Sequence, residues 1–305
     1  MKNLVMNTKP VVLLMAYGTP QSLDEVEEYY VDIRRGKRPS PELVRELQSR
    51  YMAIGGNTPL LEITREQAKK LARATGLKTY VGMKHWHPFI KEAVECMKAD
   101  ACTRVIALVL APHFSAMSTG GYIQRFESAC TEMGFDPDVT FIERWGANRI
   151  FITSVVERIK EALIQFESQD VSKIMVVFTA HSLPEKITSA DDSYKRELLE
   201  TSQLVVDSLR LPHWQFSFQS AGRTNDPWLG PDIVESLVSI RDSGFAKVLV
   251  VPIGFVTDNL EILYDLDIEA KTKARQLGLE FYRTQSANAT PRFIEVLADV
   301  IASAY

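Results

Sequence analysis

One histidine closes an apolar run whose composition is typical of a buried strand. Residues 174–180 form the run, His181 follows directly, and Pro184 prevents the strand from continuing. Ligands of open α/β sheets bind at the carboxyl ends of the strands, so this imidazole is well placed for chemistry. Near neutral pH a neutral imidazole can accept a proton or coordinate a divalent metal ion.

A row of carboxylates follows a second apolar run. Residues 248–252 form that run, and the helix predicted after it carries Glu261, Asp265 and Glu269. Spacings of four place the three side chains on one helical face, although their repulsion costs roughly a few tenths of a kcal/mol per pair. We interpret the face as a cation path. The alternative is a solvated acidic face, with Asp258 as N-cap and Glu261 completing a capping box.

The two halves of the chain share a junction motif. Residues 16–20 and 180–184 both read Ala, then Tyr or His, then a small residue, with Pro in fifth place. Residues 105–113 likewise resemble residues 248–254. A two-lobed protein holds its ligand between the lobes, so we expect Tyr17 and His181 to approach one ligand from opposite sides.

The first half carries an insertion with a basic segment. Residues 33–39 read IRRGKRP, and Arg50 and Tyr51 follow on a predicted helix. Guanidinium groups suit carboxylates and phosphates, whereas the alternative is a solvated loop. The chain has no GxxxxGK[ST] and no GxGxxG after its first strand, which argues against a nucleotide cofactor.

Other histidines and the cysteines carry weaker signals. His113 shares the strand-end context and ranks second to His181, while His85 and His87 flank Trp86 in a turn and are expected to cap at the surface. His213 receives no role. The three cysteines lack the spacing of a disulfide framework or a thiolate metal site.

Alternation of strand-like and helical segments predicts the fold class. Such a pattern indicates βαβ units and parallel sheets. We therefore expect an α/β protein of two similar Rossmann-like lobes, each a parallel sheet flanked by helices, with a cleft between them. The expected lobes are residues 1–143 with 285–305, including a returning C-terminal helix, and residues 144–284.

Composition excludes several classes of protein. The 305 residues are 46% hydrophobic and 24% charged, as in ordinary globular proteins, and the net charge of −4 does not favour nucleic-acid binding. No apolar stretch reaches the roughly 20 residues that span a bilayer, and residues 1–10 lack the apolar core of a signal peptide. We expect a cytoplasmic protein without a transmembrane segment.

Several motifs, in order along nearly the whole chain, resemble those of the ferrochelatases. The matching segments are Tyr17-Gly18-Thr19-Pro20, Arg50-Tyr51 with Ile54-Gly55-Gly56, Ala111-Pro112-His113-Phe114-Ser115, Ala180-His181-Ser182-Leu183-Pro184, Phe218-Gln219-Ser220 with Pro227-Trp228-Leu229-Gly230-Pro231, and Gly254-Phe255-Val256 through Asp265. A tyrosine at position 17 makes the chain most similar to the coproporphyrin ferrochelatases of Gram-positive-type bacteria. The resemblance implies a class II chelatase-like fold and insertion of Fe²⁺ into coproporphyrin III, giving coproheme in haem biosynthesis.

The resemblance also implies site residues. His181 and Glu261 match the iron-binding pair, which we expect to handle metal and protons, and Tyr17 matches a ligand of the porphyrin-bound iron on the opposite face. Asp265 and Glu269 match the acidic path behind the iron site, and His85 matches a residue of an accessory metal site. The expected porphyrin-contacting residues are Tyr17, Arg34, Arg50, Tyr51, Thr58 and Tyr122. Asn259 departs from the family, since relatives often have His there.

Further expectations concern cofactors and partners. The cysteines of an iron–sulfur cluster are missing, so we expect no cluster, no nucleotide and no tightly bound cofactor, with Fe²⁺ as a substrate. We expect a monomer that binds a porphyrin, makes transient contacts with other haem-biosynthesis enzymes and does not bind nucleic acid. The alternatives are a protoporphyrin IX ferrochelatase, a chelatase for another divalent metal, and a non-catalytic haem or metal carrier.

Overall fold

Two four-stranded parallel sheets form the framework of the computed structural model, which describes residues 9–167, 170–188, 192–222 and 226–304. The strands are β1 (Val11–Ala16), β2 (Thr79–Met83), β3 (Arg104–Val109), β4 (Asp138–Ile142), β5 (Ile174–His181), β6 (Trp214–Gln219), β7 (Lys247–Pro252) and β8 (Glu280–Arg283). The strand orders are β2-β1-β3-β4 and β6-β5-β7-β8. The predicted α/β class with two similar lobes is confirmed.

Helices connect successive strands and cover both sheets. The α-helices are α1 (Val26–Ile33), α2 (Pro41–Ala53), α3 (Leu60–Thr75), α4 (Ile90–Ala99), α5 (Thr119–Met133), α6 (Arg149–Leu163), α7 (Tyr194–Leu209), α8 (Ile233–Asp242), α9 (Lys271–Gln276) and α10 (Pro291–Ala302). A π-helix, Glu261–Ala270, runs directly into α9. Short 3₁₀ turns lie at Leu23–Glu25, Val171–Lys173 and Glu185–Thr188.

The apolar runs of the central strands follow from burial of both sheet faces. In β1, Val12 and Leu14 join a large core that also contains residues of β5, whereas Leu13 and Met15 face a second core with α4 and α5. Successive side chains of a strand point to opposite faces, so a strand covered on both sides is apolar at every position. The large core includes residues of α3, α6, α7 and α10 and joins the two lobes.

The internal match between the two halves corresponds to equivalent strands. β1 and β5 occupy the same place in their sheets, and so do β3 and β7. β1 and β5 each lie between the next strand in sequence and the one after it. At such a switch point the connections leave in opposite directions and open a crevice at the carboxyl ends of the strands.

Sequence patterns missed three of the four strands at the sheet edges. Residues 78–82 are predicted as a strand and correspond to β2, whereas residues 138–142, 214–219 and 280–283 are not, and all of them lie at an edge. The three missed strands are less buried than β1 and β5, so they lack the continuous apolar run that marks the central strands. Helical sequence is expected after the run 174–180 and is present as α7, whereas α8 was not predicted.

The predicted C-terminal helix is present as α10. It packs against both α3 and α6, and Gln67 on α3 donates a hydrogen bond to the Asn288 carbonyl at 2.8 Å. The predicted lobe boundaries stay a prediction, and residues 1–8 and 305 lie outside the described part. None of the described helices is both long and apolar enough to span a bilayer.

Candidate active site

A cleft opens where β1 and β5 end. Two adjoining cavities of about 670 and 370 Å³ occupy it, and Tyr17, His181 and Glu261 line both. These volumes lie in the range of small-molecule sites. The structure therefore brings together the three residues that the sequence singled out, with Tyr17 on the first lobe and the other two on the second.

His181 is held by its own chain and by α7. Its Nδ1 contacts the Ser182 carbonyl, and the Tyr194 hydroxyl donates a 3.0 Å hydrogen bond to the His181 carbonyl. A carbonyl can accept but not donate, so Nδ1 carries the proton. The lone pair of the neutral ring is consequently on Nε2.

Glu261 begins the π-helix. π-Helical turns are rare and concentrate at functional sites. Leu260 directly precedes the π-helix and offers no capping side chain, and the Asn259 Oδ1 instead accepts the Ile262 N–H at 2.9 Å. The alternative with Asp258 as the capping residue was wrong. Asp258 instead accepts hydrogen bonds from Ser286 and Asn288, both distant in sequence. Gln219, at the end of β6, donates to the Glu261 carbonyl at 3.1 Å and fixes the first turn.

The carboxylate row runs from the cleft to the surface. Glu261 lines both cavities, Asp265 lines the smaller one and is 5% exposed, and Glu269 lines neither and is exposed. Burial raises the pKa of Asp265 to about 7; the Ser220 hydroxyl and Arg50 oppose the shift, and Glu261 and Glu269 add to it. Asp265 can therefore hold or release a proton near neutral pH.

Tyr17 lies against a histidine of its own lobe. The centres of the Tyr17 and His85 rings are 4.6 Å apart, and the backbone N–H of His85 donates to the Tyr17 carbonyl at 2.9 Å. Gly18 permits this approach, because its φ is +97° and a Cβ there would lie 2.8 Å from the Trp86 nitrogen. The enclosing walls of the cleft and the nearby Glu261 carboxylate raise the pKa of Tyr17 above its usual value, although 36% of the residue is exposed to the cleft.

His85 is buried rather than a surface cap. It is 7% exposed, and its Nδ1 lies 2.7 Å from Asp32, which Arg125 also contacts at 2.7 Å. Burial lowers the pKa of His85, although the Asp32 hydrogen bond opposes the shift. His87 is exposed and bonds Glu92 at 2.8 Å, as expected of a surface residue.

The predicted porphyrin contacts at Tyr51 and Thr58 form part of a hydroxyl chain. Thr58 donates to Thr19 at 3.1 Å, and Thr19 lies 3.2 Å from the Tyr51 hydroxyl. All three line the smaller cavity and are almost fully buried. These hydrogen bonds between hydroxyl groups fix the position of this wall of the cleft.

Each of the two cavities has its own cations. Arg34 and Arg50 line the smaller cavity, whereas Arg35, Lys84 and Arg125 line the larger one. None of these five residues lines both cavities. Both cavities that share Tyr17, His181 and Glu261 are therefore lined by positive charge.

Lys84 and Arg125 are the site residues that sequence reasoning missed. Lys84 lies 4.8 Å from the centre of the Tyr122 ring, and burial lowers its pKa to about 8, with Arg125 and Arg35 adding to the shift. Lys84 directly follows the end of β2, which is the same strand-end signal that identified His181. Arg125 is on α5 and has no comparable signal.

His113 connects the lobes. It is 2% exposed, its Nε2 lies 2.9 Å from the Thr201 hydroxyl on α7, and its Nδ1 has no hydrogen-bond partner among the described residues. Burial lowers the pKa of His113 to about 3, so the ring stays neutral. Across residues 9–167, 170–188, 192–222 and 226–304, no three His, Cys, Asp or Glu side chains are grouped to hold a metal ion.

Comparison with known proteins identifies strong sequence similarity. The profile of the family described as Ferrochelatase matches residues 9–305. A ferrochelatase of Herpetosiphon aurantiacus is 42% identical over 302 residues, covering 97% of this chain and 99% of the relative. Coproporphyrin III ferrochelatases of Geobacillus sp. and Bacillus subtilis are 40% and 39% identical over 298 residues, covering 95% of this chain and 96% of each relative.

Solved structures support the fold. SirB from Bacillus subtilis with Fe³⁺ superposes with a TM-score of 0.62 at 12% identity, covering 97% of this chain and 95% of that one. CbiX, described as the terminal enzyme of sirohaem biosynthesis in denitrifying bacteria, gives 0.56 at 12% identity, covering 97% and 99%. The predicted class II chelatase-like architecture is thereby confirmed.

Proposed function

The chain belongs to the ferrochelatase family, enzymes that insert iron into a porphyrin, and we propose that its own reaction is insertion of Fe²⁺ into coproporphyrin III in haem biosynthesis. Relatives about 40% identical that are named for this porphyrin support the choice of substrate. Insertion exchanges two pyrrole N–H protons for one metal ion, so the site must accept protons and hold Fe²⁺.

The distribution of cations in the cleft carries the proposal. Coproporphyrin III has four carboxylates around its ring, whereas protoporphyrin IX has two, both on one edge. Cations in one cavity would be enough for two adjacent carboxylates. Arg34 and Arg50 in the smaller cavity, with Arg35, Lys84 and Arg125 in the larger one, suit a ring that carries carboxylates around its whole edge.

In the proposed mechanism the two lobes contact opposite faces of the porphyrin ring. On one face, His181 Nε2 offers a lone pair to a pyrrole proton, and the Glu261 carboxylate is a hard oxygen ligand for Fe²⁺. Asp265 and Glu269 extend the route for ions and protons toward the surface. On the other face, Tyr17 offers its phenol oxygen to the iron of the product.

Anaerobic insertion of Fe²⁺ into coproporphyrin III and protoporphyrin IX, assayed side by side, tests the substrate. We expect kcat/KM to be at least about tenfold higher for coproporphyrin III, because it can engage both groups of cations. Equal values for the two porphyrins would contradict the choice of substrate.

The Lys84→Met variant tests the reasoning behind that choice. It should raise KM for coproporphyrin III by roughly tenfold and leave KM for protoporphyrin IX within about twofold, since it removes one charge from only one of the two cavities. The same rise for both porphyrins would mean that Lys84 does not distinguish them.

The proposal also includes the cofactor content, the cellular location and the oligomeric state of the protein. We infer a cytoplasmic monomer without an iron–sulfur cluster or a nucleotide, in transient contact with other haem-biosynthesis enzymes. The sequence has three cysteines, Cys96, Cys102 and Cys130, one fewer than the four thiolates that usually hold an iron–sulfur cluster. Iron analysis and sedimentation of the purified protein would test both points.

A further inference from the structure

Arg50 already binds a carboxylate of the opposite lobe. Its Nη1 lies 3.5 Å from Asp265 Oδ1, so the contact joins α2 to the π-helix. The two side chains are 26% and 7% exposed, and the guanidinium lies 5.1 Å from the centre of the Tyr264 ring. Partial burial makes such a pair less screened by solvent than a surface ion pair.

The same guanidinium faces the substrate. Arg50 lines the smaller cavity together with Arg34, where a porphyrin carboxylate would enter. Its second carboxylate partner, Glu46, is 3.4 Å away on the same helix and 32% exposed, so this contact is weaker than the buried one. A carboxylate that enters here has to compete for the guanidinium mainly with Asp265.

We propose that Asp265 and a carboxylate of the porphyrin compete for Arg50, so that Asp265 sets the affinity for the porphyrin and is released when the porphyrin is captured. The inference rests on the proposed function, because it takes the ligand to be a carboxylated porphyrin. When Arg50 leaves Asp265 it loses an ion pair, and only a porphyrin with a carboxylate in this cavity can replace that ion pair. The exchange therefore discriminates against rings without such a carboxylate. The freed Asp265 carboxylate remains beside Ser220, on the same helix as Glu261.

The competition has a reciprocal consequence. Two ligands that exclude each other from one group weaken each other's binding by the same factor. Neutralising Asp265 should therefore tighten porphyrin binding through Arg50, although the two residues belong to opposite lobes and line the same smaller cavity.

A double-mutant cycle with coproporphyrin III, in the absence of iron, tests the proposal. The dissociation constant is measured at pH 8, where Asp265 with its pKa of about 7 is mostly ionised, by quenching of tryptophan fluorescence in the wild type, Asp265→Asn, Arg50→Gln and the double variant. We expect Asp265→Asn to tighten binding by about three- to tenfold and Arg50→Gln to weaken it. In the Arg50→Gln background the Asp265 substitution should have no effect.

Two further variants make the result specific. Glu235 is an exposed residue of α8 that lines neither cavity. Its replacement, Glu235→Gln, removes one negative charge there and should leave the dissociation constant unchanged. Asp265→Ser removes the same charge with a different side chain and should tighten binding like Asp265→Asn. If one of the two variants does not fold, the other still tests the proposal.

Unchanged or weaker binding in both Asp265 variants would overturn the proposal, and so would equal tightening with and without Arg50. The proposed function fails separately, through absent insertion or equal use of the two porphyrins. The binding cycle can be read in either case, because it does not depend on chelation.

Discussion

At the scale of single residues, the titratable side chains in and around the cleft differ in how their protons are held. The Nδ1 proton of His181 is tied to a carbonyl, Asp265 titrates near neutrality and His113 stays neutral because it is buried. Of these, His181 and Asp265 belong to the route that we propose for metal and protons, and each permits a direct test.

Replacing His181 should abolish insertion and preserve binding. We expect His181→Ala to lower kcat for Fe²⁺ insertion by roughly a hundredfold or more, because the Nε2 lone pair is lost, and to leave the coproporphyrin dissociation constant within about threefold. His213→Asn is the control, since His213 is exposed, packs on Phe245 and lies outside the cleft. Near-normal turnover of His181→Ala would remove His181 from the mechanism.

Asp265 should make stability depend on pH. The folded protein holds the Asp265 proton more tightly than the unfolded chain, so ionisation destabilises the fold as pH rises between about 4 and 7. Asp265→Asn should therefore gain stability over the wild type at pH 8, by on the order of 4 kcal/mol, and little at pH 4. Urea unfolding at both pH values measures this difference, and a gain that does not change with pH would show that Asp265 titrates normally.

At the scale of elements, the start of the π-helix positions Glu261. Asn259 caps the first turn with its side-chain oxygen and lines both cavities, and Asn is among the residues best suited to capping. The carbonyl of Glu261 is held separately by Gln219. The geometry of the carboxylate row thus depends on the two contacts at its first turn.

Removing the cap should loosen that turn. We expect Asn259→Ala to cost about 1 kcal/mol of unfolding free energy and to lower kcat, because Glu261 loses its fixed position. Asn259→Ser keeps a side-chain acceptor at the cap and should retain most of both. Equal losses in the two variants, in urea unfolding and in insertion assays, would mean that the amide matters for a reason other than capping.

At the scale of the whole molecule, the segment after β3 joins the lobes behind the cleft. The Phe114 N–H donates to Glu197 at 2.8 Å, the Ser115 hydroxyl donates to Asp192 at 3.1 Å, and His113 meets Thr201. The shared apolar core holds the two sheets together, and these polar contacts fix the lobes at the level of the cleft.

Thr201→Val tests this connection between the lobes. It leaves both ring nitrogens of the buried His113 without a partner, so we expect a loss of about 1–3 kcal/mol in unfolding free energy. Thr201→Ser keeps the hydroxyl and should behave like the wild type. A neutral effect of the valine, measured by urea unfolding, would show that the Thr201 contact is not needed to satisfy His113.

The sequence by itself determined the fold class, the strand-end positions of Tyr17 and His181, and the order of the carboxylates from Glu261 to Glu269. These features are local, since apolar runs, proline positions and helical spacing constrain the chain within a few residues. Tertiary structure decided which neighbours each group has. Asn259 rather than Asp258 caps the helix because Ser286 and Asn288 bind Asp258, and Arg50 meets Asp265 across 215 positions of sequence. Burial and long-range pairing arise when distant segments pack together, so the second group of cations and the charge state of Asp265 follow from the folded chain.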